Sequence, residues 1–209
     1  MTIWDQIYKN HQKGGSAWAT LSEGIDPRFI DLIGKTNFKL KSAFDIGCGT
    51  GKYLGYLQSK NFRVAGIDSS ETAIEISKKF LGDSTDLVLA DMYDFKIPKN
   101  KYDLILSVST LHHGKKERIN KLVKRIYDSL ATGGIIFITL PDIKFNNKSN
   151  AFKDDKEIAP DTYLPLYGPE KGLPHSFFSR QEIDSIFSDF KGIELSIDKI
   201  GRWFVVGTK

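Results

Sequence analysis

From Ser42 onward the chain alternates short apolar runs with longer amphipathic stretches, and this alternation leaves few folds open. Five runs, at 42–47, 62–68, 87–92, 102–109 and 134–140, have the length and the Val, Ile, Leu and Phe content of buried strands. Between them, 51–59, 71–81 and 116–130 each carry one apolar face at helical spacing, formed in the last by Ile119, Leu122, Val123, Ile126 and Leu130. Strands separated by helices of this length are the pattern of βα units that build a parallel sheet. Ser70 is placed to cap the second of these helices, and Ser179 with Glu182 three residues on forms a capping box for a helix running to about Phe187. Two further apolar stretches, 193–198 and 203–208, flank Ile200 and Gly201 and predict a closing antiparallel hairpin.

Two segments stand outside this rhythm. Residues 1–41 carry Trp4, Tyr8, Trp18 and Phe29 in a pattern that suits one or two short helices capping the core. Residues 142–176 hold Pro160, Pro165, Pro169 and Pro174 without clear periodicity, which predicts a long irregular insertion of the kind used as a lid. With 209 residues and 40% hydrophobic content, a single domain over 1–209 is expected. The net charge of +4 comes from 30 basic residues dispersed among 26 acidic ones, too mild a balance to imply nucleic acid. Cys48 is the one cysteine, so no internal disulfide forms, and no Cys/His cluster along the chain points to a metal. Neither a signal-peptide core nor a run of about 18 apolar residues occurs, so the expectation is a soluble, cytoplasmic protein without a membrane partner.

The turn after the first strand, within FDIGCGTGKY (44–53), places Gly47, Gly49 and Gly51 and a helix start at the carboxyl edge of the sheet, where nucleotide-like ligands bind. A dinucleotide fingerprint would need Gly or Ala where Lys52 stands. A phosphate-binding loop would need Gly where Ile46 stands, and Ser or Thr where Tyr53 stands. What remains is D-x-G-x-G-x-G, with the carboxylate of Asp45 just before the turn. It would repel a pyrophosphate and attract a sulfonium or ammonium cation.

Together, DIGCGTG, VAGIDSS after the next strand, LADM after the third and LSVSTLHH after the fourth resemble the class I S-adenosylmethionine-dependent methyltransferases, closely over residues 40–141 and loosely elsewhere. The tail PHSFFSRQEIDSIF resembles the corresponding region of type 11 and of tellurite and thiopurine methyltransferase-like enzymes. The resemblance implies a Rossmann-like, doubly wound α/β fold whose seven-stranded sheet is parallel except for one strand of the C-terminal hairpin. It also implies S-adenosylmethionine as cofactor, S-adenosylhomocysteine as product and a small-molecule acceptor.

Residue by residue, it assigns the turn positions Asp45, Gly47, Cys48 and Gly49 to the cofactor. Asp68, with Ser69 beside it, goes to the ribose, Asp91 and Met92 to the adenine, and Ser107 and Val108 to the methionine moiety, with Leu111 either touching the adenine or filling the core. Tyr8 and Trp18 are expected either to fold over the cofactor, where aromatic faces attract its cation, or to staple the N-terminal helices to the core. His112, also placed at the cofactor, and His175 are candidate general bases, since free imidazole titrates at about 6.5; the alternative is that they, like His113, only pack or hydrogen-bond the turn. Phe152, Tyr163, Tyr167 and Asp142 are expected to shape the acceptor pocket. Two other readings stand beside the small-molecule one: an RNA or protein methyltransferase, and a non-catalytic module that retains the fold.

Overall fold

The computed structural model describes residues 1–15, 17, 24–144 and 154–209. Two helices, α1 (Ile3–His11) and α2 (Pro27–Lys35), precede β1 (Ser42–Ile46), α3 (Lys52–Ser59), β2 (Arg63–Asp68), α4 (Glu71–Leu81), β3 (Asp86–Leu89), β4 (Tyr102–Ser107), α5 (Lys116–Ser129) and β5 (Leu130–Pro141). Three short strands follow, β6 (Lys156–Ala159), β7 (Thr162–Leu164) and β8 (His175–Ser176), then α6 (Arg180–Ile186), β9 (Lys191–Ile197) and β10 (Arg202–Thr208).

The main sheet has seven strands in the order β3-β2-β1-β4-β5-β10-β9. Neighbours from β3 to β5 pair in parallel, and β10 runs antiparallel to both β5 and β9. The fold expected from the sequence is therefore the one observed. All five residues of β1 are buried, as a central strand covered on both faces requires. On one face α5 and α6 bury Ile119, Leu122, Val123, Ile126, Ile183 and Phe187. On the other, Phe29 and Ile33 of α2 and Leu57 of α3 pack with Phe137 and Phe204 of the sheet. Phe29 meets the Phe137 ring edge-on at a centroid distance of 4.9 Å.

Sequence rules account for the helix ends. The side chains of Thr2, Asp26 and Ser70 accept from first-turn amides, and Ser179 with Glu182 forms the predicted capping box. α3 differs: its N-cap is Gly51, with φ +82 and no side-chain cap, and a Cβ there would meet the Ser77 hydroxyl of α4 at 2.8 Å.

One expectation is corrected. Residues 142–176 are not wholly irregular: β6, β7 and β8 form a three-stranded antiparallel sheet. This small sheet is fastened to the core, with the Ser176 amide donating to the His112 carbonyl at 2.9 Å and the Ser176 hydroxyl to the Gly114 carbonyl at 2.7 Å. Lys116 adds ion pairs to Asp161 at 3.2 Å and Glu182 at 2.6 Å. These contacts tie residues 161–176 to the core beside the carboxyl edge of the main sheet. Phe152 and Trp18 lie outside the described residues.

Candidate functional site

The strand order reverses between β1 and β4, so the turns leaving these two strands diverge and leave a crevice at the carboxyl edge of the sheet. A cavity of about 460 Å³ occupies it, within the range of small-ligand sites. The glycine turn forms its floor. The Gly47 and Cys48 amides both donate to the Ile67 carbonyl, at 2.8 and 2.9 Å, which ties the turn to β2.

Asp45 and Asp68 both line this cavity and are both buried. One Asp68 oxygen accepts from the Gly49 amide and the other from the Ser70 amide, each at 2.9 Å. Burial pushes both carboxyl groups above the usual range, and for Asp45 the neighbouring Asp68 adds repulsion. A cation bound against the two acids would offset the burial and repulsion that raise them, whereas a phosphate would add to both. That donor set fits the sulfonium and ammonium of S-adenosylmethionine, the ligand implied by the sequence.

α1 roofs the turn. The Tyr8 hydroxyl sits so close over Gly49 that a Cβ there would meet it at 2.5 Å. The helix is fastened by Asp5, one oxygen of which accepts from the Thr72 amide at 3.0 Å, the Thr72 hydroxyl at 2.8 Å and the Ser70 hydroxyl at 3.2 Å. Lys9 pairs with its other oxygen at 2.9 Å. The Thr72 amide, with Lys9 and the Thr72 hydroxyl adding to it against the cost of burial, holds the Asp5 carboxyl well below the usual carboxylate range. A depressed folded-state value means the stabilisation is complete above the unfolded value of about 3.9 and is lost as pH falls through the folded one. Asp5→Ala is therefore expected to lower the melting temperature at pH 7, with the gap to the parent protein narrowing below about pH 4. A gap of constant size from pH 7 to pH 3 would contradict the anchoring.

The described residues that the sequence reading assigned to the cofactor or to catalysis gather here with one exception. Tyr8, Asp45, Gly47, Cys48, Gly49, Asp68, Ser69, Asp91, Met92, Val108, His112 and His175 all line the cavity. Ser107 does not: it is fully buried and its hydroxyl donates to the Ile46 carbonyl at 2.9 Å, joining β4 to β1. Leu111 is a core residue. Tyr163 and Asp142 are not among the lining residues, and Tyr167 is 80% exposed. Burial pushes the Cys48 thiol up, which argues against a reactive thiolate.

Several lining residues escaped the sequence reading, among them Tyr93, Glu170 and Arg202. Ser109 signals the site in its own way, holding φ +56 while its amide donates to Thr139 Oγ1 at 2.7 Å.

At one end of the cavity three imidazoles meet. His112 and His113 have ring centroids 3.9 Å apart, and His175 lies 5.7 and 4.7 Å from them respectively. Trp4 packs edge-on against His113 at 4.8 Å. The Nδ1 atoms of His112 and His113 are buried without a hydrogen-bond partner among the described residues, an arrangement that costs about 1–3 kcal/mol per group. Burial holds both imidazoles well below their usual value, and His175 adds to this, so both are neutral at physiological pH. The ring nitrogens of His175 are 2.9 Å from the Leu173 carbonyl and 3.0 Å from a Glu170 oxygen.

Residues 43–134 match the family described as "Methyltransferase domain". Over this stretch the chain is a class I S-adenosylmethionine-dependent methyltransferase domain. It is 25% identical over 154 residues to the tRNA (carboxymethyluridine(34)-5-O)-methyltransferase of Saccharomyces cerevisiae, covering 73% of this chain and 50% of that protein. It is 30% identical over 123 residues to phosphoethanolamine N-methyltransferase 1 of Zea mays, covering 57% of this chain and 24% of the maize protein. The chain thus spans half or less of these two relatives. The crystal structure of a SAM-dependent methyltransferase from Methanosarcina mazei superposes with a TM-score of 0.69 at 17% identity, covering 90% of this methyltransferase and 99% of the other. Among the described residues, no helix is long and apolar enough to cross a membrane.

Proposed function

We propose that the protein transfers the methyl group of S-adenosylmethionine to a small-molecule acceptor held in the same cavity. The observation that carries this reading is the pair of buried acids, Asp45 and Asp68, facing a roofed cavity of about 460 Å³. The cofactor supplies a sulfonium, whose sulfur leaves with the electron pair as the methyl carbon passes to the acceptor in line. With the leaving group already activated, the residues of this chain act by alignment and exclusion of water, and positioning alone can supply effective molarities of about 10⁵–10⁸ M.

In this reading Asp68 accepts from the ribose hydroxyls with lone pairs its two amide contacts leave over, Asp91 and Met92 hold the adenine, and Asp45 faces the cationic end. Tyr8 and Trp4 close the roof. His112, neutral and with Nδ1 directed into the buried end, is the group available to take a proton from the acceptor. His175, engaged on both ring nitrogens, orients that end of the cavity.

The named relatives act on a tRNA and on phosphoethanolamine, so they do not choose between acceptor classes. What favours a small acceptor is that α1 and residues 170–175 both line the cavity in which donor and acceptor would have to fit together.

Calorimetry is expected to show one S-adenosylhomocysteine bound per chain. A labelled-methyl assay over thiols, amines, phenols, metalloid oxyanions and tRNA is expected to yield product with a small acceptor. Product from tRNA alone would replace this acceptor class, and cofactor binding without any product would favour a non-catalytic module.

A further inference from the structure

Three of the chain's four histidines meet at one end of the cavity, although His175 is 62 positions from His113. Each offers a nitrogen, and these atoms all lie within 4.8 Å of one another. Three clustered imidazoles, two of them with a buried Nδ1 that has no partner among the described residues, leave hydrogen-bonding capacity unmet. They form a good ligand set, because a metal ion takes lone pairs from neutral imidazole nitrogens.

We propose that His112, His113 and His175, with Glu170, bind a divalent transition-metal ion of the Zn²⁺ type at the histidine end of the cavity. Two observations support the chemistry. Nε2 of His175 meets the Glu170 carboxyl at 3.0 Å, a contact that needs one proton between them and that an ion would displace; a carbonyl can only accept, so Nδ1 donates its hydrogen to Leu173 at 2.9 Å. That is the outer-shell arrangement by which ligating histidines are held in one tautomer. The Nε2 to Oε2 separation of 3.0 Å approaches the edge of about 3.4 Å that a tetrahedron has when its metal–nitrogen bonds are about 2.1 Å. Side-chain rotations that close the widest pair, at up to 4.8 Å, by about 1.4 Å bring the remaining nitrogens to the same spacing. Nitrogen donors with one carboxylate and no thiolate suit zinc and its neighbours better than calcium or magnesium.

Metal binding stands independently of methyl transfer. What rests on the methyltransferase reading is the consequence for the acceptor: if Glu170 swings aside, a fourth position opens toward the cavity, suited to an acceptor that brings an oxygen, nitrogen or sulfur lone pair. An imidazole holding the ion cannot also take the acceptor's proton, so for His112 the two roles exclude one another.

The test uses the full chain stripped by a chelator and then titrated with Zn²⁺ against a chromophoric zinc indicator. One equivalent is expected to bind. His113→Ala and His175→Gln are each expected to weaken it at least a hundredfold and Glu170→Gln at least tenfold, while His11→Ala leaves it intact. Substitution with Co²⁺ is expected to give the intense visible bands of a tetrahedral site, a readout that does not depend on variants folding. Failure of the parent protein to bind zinc, binding that persists in both His113→Ala and His175→Gln, or loss in His11→Ala overturns the site. S-adenosylhomocysteine titrated into the same stripped protein separates the two claims: cofactor binding without zinc binding removes the metal and leaves the methyltransferase, and the reverse removes the donor assignment alone.

Discussion

Gly47→Ala is expected to be the most damaging small change at the site, lowering stability by about 3 kcal/mol or more and weakening S-adenosylhomocysteine at least tenfold. Two costs add. Gly47 has φ +76, which a residue with a Cβ adopts at about 1–3 kcal/mol. The new Cβ would also land on the side chain of Thr110, 2.8 Å from its Cβ, and overpacking costs about 1–3 kcal/mol more. Thr110 belongs to the turn leaving β4, so relief by moving it displaces the neighbouring His112 as well. Urea unfolding and calorimetry measure both effects. The double variant Gly47→Ala, Thr110→Gly is expected to recover the steric share only. An alanine variant with parental midpoint and affinity would show that the turn tolerates what its geometry forbids.

Asp68→Ala is expected to lower affinity for S-adenosylhomocysteine at least tenfold and, separately, to loosen the turn. Its carboxylate is the acceptor for the Gly49 and Ser70 amides, and a buried donor left unpaired costs about 1–3 kcal/mol. Both losses come from one side chain, so they must be read apart. Equal affinity in the parent and the variant would remove the ribose role, and equal unfolding midpoints would remove the bracing role. Asp68→Asn retains one acceptor oxygen and is expected to fall between the two on stability.

The parts of the fold legible in the sequence are those whose residues report on their own neighbourhood. β1, α4 and α5 announce themselves by composition and period, and the turn by glycines whose positive φ only that residue adopts freely. The apolar run expected to extend to Met92 ends as a strand at Leu89: β2 itself stops at Asp68, whose carbonyl takes a last bond from the Ala90 amide at 2.9 Å. The small sheet stayed hidden for a plain reason: strands of four, three and two residues are too short for alternation to register. Pro160 and Pro165, read as marks of irregularity, flank β7. The positions around the turn were locatable because they sit within a few residues of strand ends. Trp4, Glu170 and Arg202 reach the cavity only through tertiary packing, and the meeting of His175 with His112 depends on β8 pairing back toward the core.

The attachment of α1 bears on how the two activities of stability and turnover relate. Its buried residues are only Asp5, Ile7 and Tyr8, and its hold on α4 is a short set of polar contacts, joined by the Thr2 hydroxyl to the Ser69 carbonyl at 3.1 Å. A roof fastened this way can lift by local opening while the seven-stranded sheet stays whole. Exchange of spent for fresh donor beneath α1 would then draw on that local equilibrium and not on the global one. Hardening the core against heat would leave the rate of exchange untouched, whereas a single added bond between α1 and α4 would slow it.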